Sequence, residues 1–433
     1  MPTRGCSNTT RECGRRMREQ IEGSQAVARA VARCSPEVVC AYPITPQTHI
    51  VEALSRMVAG GELSPCEFVN VESEFAAMSV AIGASAAGAR AYTATASQGL
   101  LYMAEALFNA SGLGLPIVMT VGNRAIGAPI NIWNDQGDAM ALRDCGWIQL
   151  YARDNQEAVD LHVQAFRIAE SLSLPVMVCM DGFVLTHAFE PLEIPDQGDV
   201  NAFLPTFAPR QVLDPDEPMT IGAMVGPEAF TEVRYLAHAK QMQALDLIPS
   251  VAASFERTFR RPAGGLLEGY RVDGARTVVV ALGSVFGTLA EVVDELCAEG
   301  RRVGALNVKA FRPFPTEELR RALAGATRVV VLERALAVGG GGIVSANVHA
   351  ALNGDAAQIH TVIAGLGGRA ITRRSLRALL RRALAGELEE LHFLDLKREV
   401  VERELARLSA GGMTGPHAES ILRELGAVAA GPV

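Results

Sequence analysis

No two cysteines in this chain have the close spacing of a metal-ligand or cluster-ligand pair. The eight present, Cys6, Cys13, Cys34, Cys40, Cys66, Cys145, Cys179 and Cys297, are scattered. That spacing excludes an iron–sulfur cluster held by neighbouring thiolates and fits free thiols in a reducing, cytoplasmic setting. Long apolar runs are also missing. Leu115 to Val121 and Thr277 to Leu282 are strand-length, far below the ~18 residues of a membrane helix, so no membrane association is expected. Positive charge is not in excess, since the net charge is −8, which argues against nucleic acid as a partner. Residues 1–22 carry Arg4, Arg11, Arg15, Arg16 and Arg18 without an apolar core. They are expected to be a disordered leader rather than a secretory signal, with Met17 a candidate start.

What remains is an ordinary globular composition. With 433 residues, 49% hydrophobic and 20% charged, the chain has room for two or three domains with separate cores. From Gly23 onward helix and strand patterns alternate, giving one doubly wound α/β domain over residues 23–190. Seven prolines from Pro191 to Pro227 then mark a connector, which leads into a long helix over roughly Ala229 to Arg260, so that connector and helix together fill residues 191–270. A second α/β domain is expected over 271–370. A helical C-terminal extension, 371–433, follows, its last twenty-odd residues frayed.

Several polar residues stand just past predicted strands, where open α/β sheets bind ligands. Thr45, bracketed by Pro43 and Pro46, either caps the next helix or faces a ligand. Glu74, after the strand Phe68 to Val71 and before a helix of small residues, has two readings. It complements the helix dipole, or it is a buried acid holding a protonatable ring in a cleft. Ser97-Gln98-Gly99 makes a small polar turn. Arg124 is a surface charge or a carboxylate clamp, and it begins a long polar loop through Asp138, a kind of loop more often functional than idle. His187 reads as a structural hydrogen bonder rather than a general base. The run Gly339 to Gly342 before a helix raises the possibility of a phosphate cradle, though it lacks a P-loop lysine and a dinucleotide fingerprint, which favours a backbone role.

Six strings in order, Tyr42-Pro43-Ile44-Thr45-Pro46, Val71-Glu72-Ser73-Glu74, Thr93 to Gly99, Gly122-Asn123-Arg124, Asn131 to Gln136 and Met180-Asp181-Gly182-Phe183, resemble the alpha subunit of pyruvate:ferredoxin oxidoreductase. Phe311 to Pro315 and Gly365 to Arg369 extend the resemblance over about residues 23–400. It implies the pyrimidine-binding domain of a thiamine-diphosphate enzyme followed by a transketolase C-terminal-like α/β domain. By the same resemblance Glu74 binds N1′ of the aminopyrimidine, with Ser97 and Gln98 beside the cofactor. A carboxylate there favours the imino tautomer, whose nitrogen removes the C2 proton. Thr45 and Arg124 hold the carboxylate of a 2-oxoacid, and Ile130 and Ile132 lie near its alkyl group.

Such enzymes hold the diphosphate and Mg2+ on a Gly-Asp-Gly segment, and none occurs here. The resemblance therefore assigns Mg2+ to a beta subunit and iron–sulfur clusters to partners among gamma and delta subunits, with no metal on this chain. The expected activity is oxidative decarboxylation of pyruvate with coenzyme A to acetyl-CoA, electrons reaching ferredoxin through those partners. Three alternatives stay open. They are a branched-chain substrate such as 2-oxoisovalerate, a non-oxidative transketolase-like component, and a nucleotide-binding or scaffold protein built on Gly339 to Gly342.

Overall fold

Residues 18–410 and 415–427 are described by the computed structural model. The chain opens with β1 (Glu19–Glu22) and α1 (Gly23–Arg33), then alternates through β2 (Val38–Ala41), α2 (Thr48–Ala59), β3 (Glu67–Asn70), α3 (Glu74–Ala86) and β4 (Ala91–Thr95). Next come α4 (Ser97–Tyr102), α5 (Ala104–Leu113), β5 (Val118–Asn123), α6 (Gly137–Ala141), β6 (Ile148–Tyr151), α7 (Asn155–Leu172) and β7 (Val176–Asp181). The connector carries β8 (Phe189–Leu192) and α8 (Gln197–Phe203) before α9 (Phe230–Phe259).

The second unit begins with β9 (Leu267–Tyr270), β10 (Thr277–Ala281), α10 (Val285–Ala298), β11 (Val303–Val308) and β12 (Ala310–Arg312). It continues through α11 (Thr316–Leu323), β13 (Arg328–Glu333), α12 (Ile343–Ala351), β14 (Gln358–Ile363), α13 (Arg373–Ala385) and β15 (Leu391–Phe393). Helices α14 (Arg398–Ser409) and α15 (His417–Glu424) end the described chain. No helix among the described residues is long and apolar enough to cross a membrane.

The first sheet runs β12-β6-β7-β5-β4-β2-β3. Its six strands from β6 to β3 are parallel, so their carboxyl ends share one edge. Strands β4, β5, β6 and β7 are buried at every position, because helices cover both faces of a parallel sheet. The second sheet runs β15-β14-β13-β10-β11-β9, with β9 its antiparallel edge. On α9 the buried residues Ala244, Ile248, Val251, Phe255 and Phe259 recur every three or four positions. That stripe packs against α7 and α8, with the Phe203 and Phe255 rings 5.5 Å apart.

The domain limits differ from those expected. Glu19–Glu22, assigned to the leader, pairs antiparallel with β8, Ile21 opposite Glu190; residues 1–17 lie outside the described chain. The second unit starts at β9 rather than at 271 and does not end at 370. Helix α13 buries Leu376, Leu379, Leu380 and Ala383 in the same core as β10 and β11, and β15 is the sheet's edge strand. The tail is not wholly frayed, since α15 docks on α14 through Ser420 Oγ donating to Glu404 at 2.6 Å. Strand β12 departs furthest from expectation. Though it belongs to the second unit in sequence, it pairs with β6 as the last strand of the first sheet.

Candidate functional site

At the carboxyl edge of the first sheet, Thr45 follows β2, Glu74 follows β3, Ser97 follows β4, Arg124 follows β5 and Gly182 follows β7. The parallel topology alone brings these turns together.

Ser73 caps α3, its hydroxyl accepting from Ala76 N at 3.2 Å. That leaves Glu74, at the first helical position, without a capping task, and its side chain turns inward to 8% exposure. Among the described residues it has no hydrogen-bond partner. Its neighbours are Gly99 and Thr95: a Cβ on Gly99 would lie 2.5 Å from Glu74 Oε1 and 2.7 Å from Thr95 Oγ1. Thr95 Oγ1 is itself buried and unpartnered. Without a protein donor, Glu74 stands as an open acceptor beside the Thr95 hydroxyl. Glycine at position 99 keeps α4 from filling that space.

Arg124 is 7% exposed, and burial pulls its pKa below the usual guanidinium value. Its Nη1 donates to Thr45 O at 2.8 Å and its Nε to Asn131 O at 3.2 Å. Thr45 and Arg124 are thus brought into contact, with Nη2 not engaged by any described residue. Thr45 itself is exposed at the turn.

Asp138, fully buried, organises this edge and was not singled out in the sequence. Its Oδ2 accepts from Ser97 N at 2.9 Å and Arg124 N at 3.0 Å. Its Oδ1 accepts from Asn123 Nδ2 and Ala139 N, each at 2.8 Å. Burial raises its pKa to about 6 in spite of these donors. One carboxylate therefore ties the turn after β4 to the turn after β5. The only sequence signal was an acid at the end of a polar loop, which does not distinguish it from Asp135.

Ser97 Oγ donates to Ala125 O at 2.5 Å and contacts Gln98 Oε1, so its hydroxyl ties the turn after β4 to the start of the loop. Gln98 reaches the same loop, its Nε2 beside Gly127. The loop is pinned at its far side by the second domain: Gly367 N donates to Asp135 Oδ2 at 3.1 Å, and Asn131 Nδ2 donates to Gly367 O at 3.2 Å. Ile130 and Ile132 occupy its outer rim at 79% and 40% exposure. Among the described residues nothing covers their exposed faces.

The glycine run does not cradle a phosphate. Glu333, at the end of β13, accepts from Ile343 N and Val344 N at 2.7 Å each, and from Ser345 N at 3.1 Å. The anion site at the start of α12 is thus filled by the protein's own carboxylate, which removes the nucleotide-binding alternative at that position. His187 bonds Thr186 Oγ1 through Nδ1 at 2.7 Å and packs on Phe183. Burial, then neighbouring His49, lowers its pKa.

Residues 29–253 match the family model "Pyruvate flavodoxin/ferredoxin oxidoreductase, thiamine diP-bdg". The chain belongs to the pyruvate flavodoxin/ferredoxin oxidoreductase family. Within it, residues 275–376 match "Pyruvate:ferredoxin oxidoreductase core domain II". Pyruvate synthase subunit PorA of Methanosarcina barkeri is 47% identical, covering 88% of this chain and 97% of its own. The PorA of Methanothermobacter thermautotrophicus is 44% identical, covering 88% and 98%. Ketoisovalerate oxidoreductase subunit VorA of Pyrococcus abyssi is 38% identical, again over 88% and 98%. A solved 2-oxoglutarate:ferredoxin oxidoreductase from Magnetococcus marinus shares the fold, with a TM-score of 0.64 at 21% identity, covering 85% of this chain and 65% of that one.

For this family member the chemistry of the strand-end edge fits the ring end of thiamine diphosphate. Glu74 offers an unpaired acceptor, and Gly99 leaves the room beside it.

Proposed function

We propose that the chain is the alpha subunit of a pyruvate:ferredoxin oxidoreductase. The complex would convert pyruvate and coenzyme A to acetyl-CoA and CO2, releasing a proton and two electrons that reach ferredoxin through clusters on partner subunits. The observation that carries this reading is the partnerless buried carboxylate of Glu74, beside Gly99 on the strand-end edge that also bears Thr45 and Arg124. The PorA relatives, more similar to this chain than the ketoisovalerate one, support pyruvate as the 2-oxoacid.

Thiamine diphosphate, when bound, supplies a nucleophilic carbon and an electron sink for decarboxylation. Glu74 would accept a hydrogen bond from the ring nitrogen N1′, and exclusion of water would strengthen that bond. Arg124, locked at Nε and Nη1 by two backbone carbonyls, presents Nη2 to the substrate carboxylate while the Thr45 turn sets its distance. Ser97 and Gln98 fix the loop over this space. Ile130 and Ile132 border the alkyl pocket, which is completed when a partner covers their exposed faces. A beta subunit supplies the diphosphate donors and Mg2+, and gamma and delta subunits complete the assembly.

The test is the four-subunit complex carrying Glu74→Gln. Its CoA-dependent reduction of a viologen dye by pyruvate is expected to fall by about 10²–10⁴-fold, with the melting temperature nearly unchanged. A near-normal rate would return Glu74 to a dipole partner. Rates on pyruvate against 2-oxoisovalerate discriminate the substrates, and turnover by the isolated chain would overturn the division of labour among subunits.

A further inference from the structure

Glu22, His49 and His187 form a cluster that no step of the proposed reaction uses. Each offers one ligand atom, and those atoms all lie within 4.8 Å of one another. Glu22 Oε1 and His49 Nδ1 are 2.7 Å apart, and the rings of His49 and His187 are separated by 4.8 Å between centroids.

The three side chains stand on β1, on α2 and in the turn before β8. Glu22 is the last residue of β1 and stands at the N-cap of α1, yet its carboxylate makes no capping bond and goes to His49 instead. His49 is in the first turn of α2, four residues beyond Thr45. His187 precedes β8, whose Phe189 is opposite Glu22 in the ladder. Gly23 N donates to Ala188 O at 3.0 Å, and Ser24 Oγ to Thr186 O at 2.8 Å. These bonds fix the His187 backbone against the start of α1. Thr186 Oγ1 meets His187 Nδ1 at 2.7 Å and accepts from Phe183 N at 2.8 Å. A hydroxyl at Nδ1 leaves Nε2 as the ligating nitrogen, in the way outer partners orient metal-bound imidazoles.

We propose that Glu22, His49 and His187 bind a divalent zinc-class ion, with water in the fourth position. Two imidazoles and one carboxylate are a borderline donor set suited to tetrahedral Zn2+ rather than to Mg2+ or Ca2+. Side-chain glutamate and histidine within hydrogen-bond distance are what such a site looks like when the ligands satisfy each other. The ion fastens β1 and the segment before β8 to the start of α2, and so steadies the turn that carries Thr45.

The test uses the full-length chain, stripped with a chelator and titrated with Zn2+ alone by calorimetry. One Zn2+ per chain is expected at this site, with affinity lowered by at least about tenfold in Glu22→Gln, His49→Ala and His187→Ala. His360→Ala, on β14 in the other sheet, leaves it unchanged. Substituting Co2+ is expected to give visible tetrahedral absorption bands that His49→Ala removes. Glu22→Gln keeps the side-chain shape, so its result stands even where His187→Ala does not fold. Zinc uptake that survives all three substitutions belongs to cysteines or other groups and overturns the site, as does no uptake by the wild-type chain.

Discussion

At position 99 a methyl group would distinguish packing from helix propensity. Gly→Ala inside a helix ordinarily stabilises by about 0.5–1 kcal/mol, but at Gly99 the added carbon meets Glu74 Oε1 at 2.5 Å. Overpacking of this kind costs about 1–3 kcal/mol, so Gly99→Ala is expected to lower the melting temperature and the rate of the complex together. Gly112→Ala, with nothing within 4 Å of the new carbon, is expected to do neither. Asp138 makes a pH prediction. Its carboxyl titrates at about 6 when folded, against 3.8 for the unperturbed group. Its contribution to stability is therefore fully present below the lower value and is lost as pH rises through about 6. Wild-type melting temperatures should carry that downward component between these pH values, and Asp138→Asn should lack it. The same substitution puts an amide group where N–H donors now point, so a fall in kcat/KM is expected alongside.

Elements follow the same logic of satisfied ends. Helix α12 begins on three amides that all donate to Glu333, whose pKa burial raises. Glu333→Gln replaces one acceptor oxygen with a donor and should cost about 1–3 kcal/mol, read as a lower denaturant midpoint. Most elements could be read from the sequence because their periods are local. The long helix was expected over Ala229 to Arg260 and runs Phe230–Phe259, and the strand before Glu74, expected over Phe68 to Val71, runs Glu67–Asn70. The misplaced parts depend on distant partners. Glu19–Glu22 has no strand-like pattern of its own, and its mate lies about 170 residues on, at Phe189–Leu192. Three residues of β12 carry no period at all. Helix α13 looked like an appendage because its arginines dominate its composition, while Leu376, Leu379 and Leu380 decide where it packs. Asp138 escaped notice because only burial separates an organising acid from a solvated one.

The whole molecule depends on contacts between the two units. Asp181, 1% exposed at the end of β7, accepts from Arg334 Nη1 at 2.7 Å, from Ser284 N at 2.8 Å and from Gln136 Nε2 at 3.0 Å. Removing one partner of such a buried pair leaves a lone charge and typically costs about 3–5 kcal/mol. Arg334→Ala is therefore expected to lower the unfolding free energy by that amount and, in calorimetry, to split one transition into two. Strand β12 adds a second constraint, because it lends a piece of one unit to the sheet of the other. A clamshell motion of one unit against the other would tear that strand from β6 and break main-chain bonds. Cutting the chain before β9 would therefore leave β6 with a raw, adhesive margin.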